Sequence, residues 1–160
     1  MNLYLLRHGE AEARAHNDPA RQLTARGQRE IEQVARQFAV RQLPLDRCFV
    51  SPYVRALQTA EHFISHSGIG VPTEVCATLI PEIRASAVMQ FLSSIQEKHV
   101  LLVSHNPLLS ELNALVTDGD ITHMHILSTG ELISITLDVI GLGMGRTAFR
   151  LLPDHQNNLS

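Results

Sequence analysis

The sequence predicts an α/β fold: a single domain over residues 1–160, built on a mostly parallel sheet flanked by helices and closed by a C-terminal hairpin. Three observations predict it. A short apolar run followed by a polar motif and then a helical pattern occurs three times. The helical patterns keep the i, i+3, i+4, i+7 spacing. The last third of the chain instead alternates apolar and polar residues one by one.

Leu3-Tyr4-Leu5-Leu6 leads into Arg7-His8-Gly9-Glu10, Cys48-Phe49-Val50 into Ser51-Pro52-Tyr53-Val54-Arg55, and Val100-Leu101-Leu102-Val103 into Ser104-His105-Asn106-Pro107. Continuous apolar runs this short suit strands buried on both faces. Between them, Ile31, Val34, Ala35 and Phe38 form one helical stripe, with Thr24 placed to cap its N-terminus. Val88, Phe91, Leu92 and Ile95 form a second, and Leu108, Leu112, Leu115 and Val116 a third. Pro52 and Pro107 fall near the first positions of two helices, where a missing N–H costs nothing. Ile133, Ile135 and Leu137 alternate with Ser134 and Thr136, and a second run covers Phe149 to Leu152. Gly141, Gly143 and Gly145 lie between the two runs and read as the loose turn of a hairpin. That glycine series opens no helix, so it is no dinucleotide fingerprint.

Composition narrows the function. The chain has 160 residues, 44% of them hydrophobic, and a net charge of −3, without the basic stripe of a nucleic-acid binder. The apolar N-terminus meets Arg7-His8 too early for a signal peptide, and no run approaches the roughly 20 residues needed to span a bilayer. A cytoplasmic protein with no membrane partner is expected. Cys48 and Cys76 have the spacing of neither a zinc site nor a redox pair and read as small apolar residues. His123 and His125 lack a third ligand at a recognisable spacing, so neither a metal nor another cofactor is expected. His16, His62, His66, His99 and His155 read as surface or packing residues.

The three polar motifs all end strands. In an open parallel sheet those ends share one edge, where ligands bind, so residues nearly a hundred positions apart can meet. Arg7, His8, Arg55 and His105 would gather there. Two guanidiniums match phosphate oxygens with rigid forks of donors, and helix starts at Pro52 and Pro107 would add backbone N–H groups. Two imidazoles beside such an anion site offer one candidate nucleophile and one candidate proton or hydrogen-bond donor.

These motifs carry a resemblance. Leu6-Arg7-His8-Gly9-Glu10, Leu23-Thr24-x-x-Gly27, Ser51-Pro52-x-x-Arg55-x-x-Gln58-Thr59 and Ser104-His105-Asn106, in that order, resemble the histidine phosphatase superfamily, the phosphoglycerate mutase-like proteins. The resemblance spans roughly Leu3 to Pro107. It implies that His8 accepts the phosphoryl group, that Arg7 and Arg55 bind its oxygens, and that His105 stabilises the group in transfer. Asp18-Pro19-Ala20-Arg21-Gln22-Leu23-Thr24 and Leu79-Ile80-Pro81 are similar to the phosphohistidine phosphatase branch, and the segment between Cys76 and Val100 is too short for the roof of larger members. The implied substrate is protein phosphohistidine, on a histidine-phosphotransfer domain or a phosphocarrier. Arg21 is a candidate contact to that partner. Glu82 and Asp18 are the candidate general acids, although neither has a strong acid motif around it. A phosphatase of small phosphoesters is the alternative within enzymes. A non-catalytic phosphoprotein-binding module is the other, and the presence of His8, Arg7 and Arg55 argues against it.

Overall fold

Burial on both faces is what the short apolar runs achieve. The computed structural model describes residues 1–154, and His155 lies outside them. Along the chain the elements are β1 (Asn2–Arg7), α1 (Ala25–Ala39), β2 (Arg47–Val50), α2 (Val54–Ser67), β3 (Thr73–Val75), α3 (Ala85–Ser94), β4 (His99–Ser104), α4 (Leu108–Thr117), β5 (Leu132–Leu137) and β6 (Gly145–Leu151). Short 3₁₀ turns cover Asp18–Ala20 and Ala77–Leu79. The sheet runs β3-β2-β4-β1-β5-β6. The first four strands pair in parallel, and β5 and β6 join antiparallel as the expected hairpin.

Alternate residues of β1 and β4 serve two cores. Leu3, Leu5, Val100 and Leu102 pack with Val88 and Leu92 of α3 and Leu108 and Leu112 of α4. Tyr4, Leu6, Leu101 and Val103 face the other way, toward Ile31, Val34 and Phe38 of α1 and Ala56, Ala60 and Phe63 of α2. The stripe read in α1 is the stripe it buries, and Thr24 caps the helix by accepting from the Gly27 N–H. Cys48 is buried and Cys76 half-buried, and both are free thiols.

Several details depart from the sequence reading. Strand β6 begins at Gly145, which pairs with Leu137 rather than lying in the turn, and ends at Leu151. Helix α2 starts at Val54, with Tyr53 as its extended N-cap, so Pro52 stands upstream of the helix rather than in its first turn. The chain first turns through Ser51 and Pro52, with the Tyr53 N–H on the Ser51 hydroxyl at 3.4 Å. Pro107 itself is the N-cap of α4. Strand β3 was not anticipated. All three of its residues are exposed on the sheet edge, so no burial pattern marks it.

Register sets the site. Arg7 lies beside Ser104 and Val50 beside Val103. Past the strand ends, the His8 N–H bonds to the Ser104 carbonyl and the Ser51 N–H to the Val103 carbonyl. Gly9 then passes against the first turn of α1 at a distance no side chain permits. A Cβ on Gly9 would overlap the Gly27 carbonyl, and one on Gly27 the Glu10 carbonyl. Both clashes are with backbone, which cannot swing away. Gly27→Ala is therefore expected to lower stability by about 1–3 kcal/mol, the usual cost of overpacking. Gly70→Ala, which meets open space, should stay within about 0.5 kcal/mol. Urea denaturation midpoints of the two variants check this.

Candidate active site

His8 ends β1 inside the protein, with 6% of its surface exposed. Its Nδ1 lies 2.7 Å from the Gly9 carbonyl oxygen. A carbonyl only accepts, so Nδ1 carries the hydrogen and Nε2 is left with the lone pair. Arg55 donates its Nε–H toward that Nε2 at 3.3 Å. Burial is the largest influence on the ring. Against the Gly9 hydrogen bond, and together with Arg55, Arg7 and Arg21, it holds the His8 imidazole down to about 4. The ring is neutral, and Nε2 is a free base, at ordinary pH.

His105, at the end of β4, is 1% exposed, and its ring centroid lies 5.2 Å from that of His8. Its Nε2 meets the Ser51 hydroxyl at 2.7 Å, while its buried Nδ1 has no partner among the described residues. Burial, then the neighbouring His8 and arginines, push this ring down to about 2. Arg55 is 4% exposed. Arg7 donates from Nη1 to the Leu127 carbonyl at 2.7 Å, and its buried Nε is without a partner among the described residues. Unpaired buried donors are uncommon and mark a place where a ligand can complete the bonding. The four residues expected at the strand ends thus converge on one site, made of two arginines and two neutral imidazoles.

Arg21, Asp18 and Glu82 sit at its rim. Asp18 has half of its side chain exposed and pairs with Arg55 Nη2 at 3.2 Å and with Arg21 Nη1 at 2.9 Å. Its backbone carbonyl also accepts from Arg55 Nη1 at 2.9 Å. Partial burial raises the Asp18 carboxyl, but the two arginines outweigh that and hold it below its ordinary value. It is a carboxylate, not a proton donor, at neutral pH. Arg21 is also tied to the Glu12 carbonyl at 2.6 Å. Glu82 is exposed and accepts from the Tyr53 hydroxyl at 3.3 Å. Tyr53 packs its ring edge-on to His105, with centroids 5.1 Å apart, and lies beneath the Arg55 guanidinium.

Several supporting residues carry no signal beyond their place in the motifs. Thr59 accepts from the Gly9 N–H at 3.2 Å and donates to the Arg55 carbonyl at 2.7 Å, fixing the His8 loop to α2. Gln58 accepts from the Leu23 N–H at 2.8 Å. Asn106 donates to the Leu127 carbonyl, the one that also holds Arg7. The buried Glu131 accepts from His125 and from the Ser128 N–H, both at 2.8 Å. His125 therefore serves a buried carboxylate, and no group of three ligands forms around it and His123 among the described residues.

The site is a buried pair of imidazoles between arginines at the carboxyl edge of this sheet, and comparison places the chain in a family. The profile of the histidine phosphatase superfamily (branch 1) matches residues 3–80. The phosphohistidine phosphatase SixA of Escherichia coli K12 is 32% identical over 146 residues, 89% of this chain and 89% of that protein. A SixA homolog of Haemophilus influenzae is 33% identical over 126 residues, 71% of this chain and 76% of its own. The structure of the protein histidine phosphatase SixA complexed with tungstate superposes with a TM-score of 0.87 at 28% identity, covering 98% of this chain and 99% of that one. The chain belongs to the histidine phosphatase superfamily. It is a phosphatase, with the phosphoglycerate mutase-like fold expected from its motifs.

The lowered pKa values have a thermodynamic sign. The unfolded chain takes up a proton at each histidine near 6.5, whereas folded His8 resists protonation until about 4. Stability is therefore full above pH 6.5 and is lost as pH falls toward 4, by up to about 1.4 kcal/mol per pH unit for each such ring. The urea midpoint should drop between pH 7 and pH 5, and drop less in His105→Gln. In NMR spectra the ring signals of His8 and His105 should stay fixed across the same range.

Proposed function

We propose that the protein removes the phosphoryl group from phosphohistidine on another protein, with His8 Nε2 as the acceptor. The observation that carries this reading is the His8 tautomer: Nδ1 is committed to Gly9, and the Nε2 lone pair is held among arginines. In the first step that lone pair attacks phosphorus. The Nε2–P bond forms as the P–N bond to the partner's ring breaks; the partner's ring, carrying a proton on its other nitrogen, leaves as neutral imidazole, and His8 keeps its own hydrogen on Nδ1. In the second step water attacks the phosphoryl group and the Nε2–P bond breaks; His8 returns to the neutral ring with its hydrogen on Nδ1, and both hydrogens of the water leave with inorganic phosphate. Arg7 and Arg55 bind the phosphoryl oxygens, and His105, whose Nδ1 awaits a partner, hydrogen-bonds the group in transfer.

Three features support phosphohistidine over a phosphoester. An alkoxide leaving group needs a proton, and the Asp18 carboxyl is kept ionised by Arg55 and Arg21. Glu82 stands exposed at the rim on Tyr53. A phosphohistidine ring protonated on its other nitrogen leaves as neutral imidazole without such help, because imidazole is a weak base whose conjugate acid has a pKa of about 6.5. The similarity to SixA points the same way, and tungstate, bound in one such relative, is a phosphate-like oxyanion. The expected partner is a histidine-phosphotransfer domain or a phosphocarrier, met by Arg21 at the rim.

Assayed side by side, a phosphohistidine protein should be hydrolysed with a kcat/KM at least about 10²-fold above that for a sugar phosphate, the size of typical general-acid assistance. Equal values would overturn the substrate assignment in favour of a general phosphoesterase. Arg55→Lys should lose about 10²-fold in kcat despite keeping its charge, because a lysine has no Nε–H to aim at Nε2 and no fork for phosphate. Asp18→Asn and Glu82→Gln should slow phosphohistidine turnover far less than that. Arg21→Ala should weaken the protein substrate more than a small one. Exhaustive chelation should leave turnover unchanged, because guanidiniums and imidazoles supply the charge that metals provide elsewhere.

A further inference from the structure

Outside the active site, α1 and α2 bring three donor groups together on a half-buried patch. His62 and His66 stand one turn apart on α2 with stacked rings, 5.8 Å between centroids and 14° between planes. Glu32 reaches over from α1 and places Oε1 3.4 Å from His66 Nε2. One ligand atom from each of the three lies within 4.8 Å of the others.

The hydrogen bonding leaves these atoms available. His66 Nδ1 lies 2.8 Å from the His62 backbone carbonyl, so Nδ1 carries the hydrogen and the lone pair of Nε2 faces Glu32. Metal-binding histidines are typically held this way, with the second ring nitrogen donating to a carbonyl. The His62 ring makes no hydrogen bond among the described residues. The 3.4 Å contact between Glu32 and His66 is too long for a charge-assisted hydrogen bond, which runs at about 2.7–2.9 Å. It does match the separation of two ligands around a tetrahedral ion. Bonds of about 2.0–2.1 Å place neighbouring ligand atoms about 3.3–3.4 Å apart. Among the described residues Glu32 has no arginine or lysine partner to neutralise it.

We propose that Glu32, His62 and His66 form a divalent transition-metal site, with zinc as the ion their chemistry fits best. Two imidazoles and one carboxylate are the borderline donors that zinc prefers, too soft for magnesium or calcium and too hard for copper(I). Two histidines at i and i+4 on one helix face are the spacing by which helices grip zinc, and water would fill the fourth position. The site ties α1 to α2 seven to eleven residues beyond Arg55, about 10–16 Å along the helix. It takes no part in phosphoryl transfer; its role is to brace the helix pair that carries Gly27 and Arg55.

The test uses the tag-free full chain, stripped with chelator and titrated with zinc, then with cobalt(II) as a spectroscopic probe. One equivalent of zinc should bind and raise Tm, and cobalt should show the intense visible bands of a low-coordinate site. His62→Ala, His66→Ala and Glu32→Gln should each weaken zinc binding at least about tenfold, since outer-shell changes alone cost 10–100-fold. Each should also remove the zinc-dependent rise in Tm. His8→Ala and His123→Ala should keep both responses. Circular dichroism of the stripped variants, expected to match the native chain, separates loss of metal from loss of fold. A native chain whose Tm ignores zinc would overturn the proposal, as would a Tm rise that survives in the His62→Ala/His66→Ala double variant.

Discussion

His8 keeps its Nδ1 hydrogen on the Gly9 carbonyl, 2.7 Å away, in a pocket that desolvates the ring and surrounds it with arginines. Much of the surrounding structure bears on that contact. Gly9 can present its carbonyl there because it has no side chain to strike Gly27. Its N–H is held by Thr59, which is in turn bonded to the Arg55 carbonyl, so one short chain of bonds fixes both the tautomer of His8 and the guanidinium aimed at it. Backbone bonds from His8 to Ser104 and from Ser51 to Val103 keep β1, β2 and β4 level, so that His105 arrives beside His8.

Charge in the pocket is balanced from behind rather than from inside. Burying arginines is costly unless they are paired and hydrogen-bonded. Glu30 and Glu131 lie near Arg7 and favour its charged form against burial. Glu131 is itself held by His125 and Ser128, and Glu30 by the Thr129 hydroxyl and the Glu10 N–H. Among the described residues Asp18 is the one carboxylate paired with Arg55, and it is half exposed. Arg55 thus spends its Nε–H on His8 Nε2, its Nη1 on the Asp18 backbone carbonyl and its Nη2 on the partly solvated Asp18 carboxylate. The buried Nε–H of Arg7 and the buried Nδ1 of His105 lack protein partners among the described residues.

The parts of this arrangement legible in the sequence are those dictated by burial and by strand ends. Leu3 to Leu6 and Val100 to Val103 are apolar because both faces are covered, and from that alone the polar residues after them fall at one edge. Thr24 was readable as a cap because its chemistry is local. What could not be read depends on contacts closed by loops or on exposure. Strand β3 has no buried residue, so no periodicity announces it. Pro52 looked like a first-turn proline, but the extended Tyr53 delays α2 until Val54. The Asp18–Arg55 pair joins residues 37 apart through a 3₁₀ turn, and Glu131 reaches His125 within a loop that carries no pattern. His62 and His66 stood at helical spacing in the sequence, yet they became a cluster only when Glu32 arrived from another helix.

The central claim concerns one atom, His8 Nε2. Rapid acid-free quenching of the enzyme during turnover of a phosphohistidine protein, followed by phosphorus NMR and peptide mapping, tests it most directly. The account predicts a base-stable, acid-labile phosphoryl group on His8 Nε2, which forms and decays fast enough to lie on the path and is absent from a folded His8→Ala variant. Phosphate release by that variant at the native rate, or a phosphoryl group trapped on any residue other than His8, would contradict it.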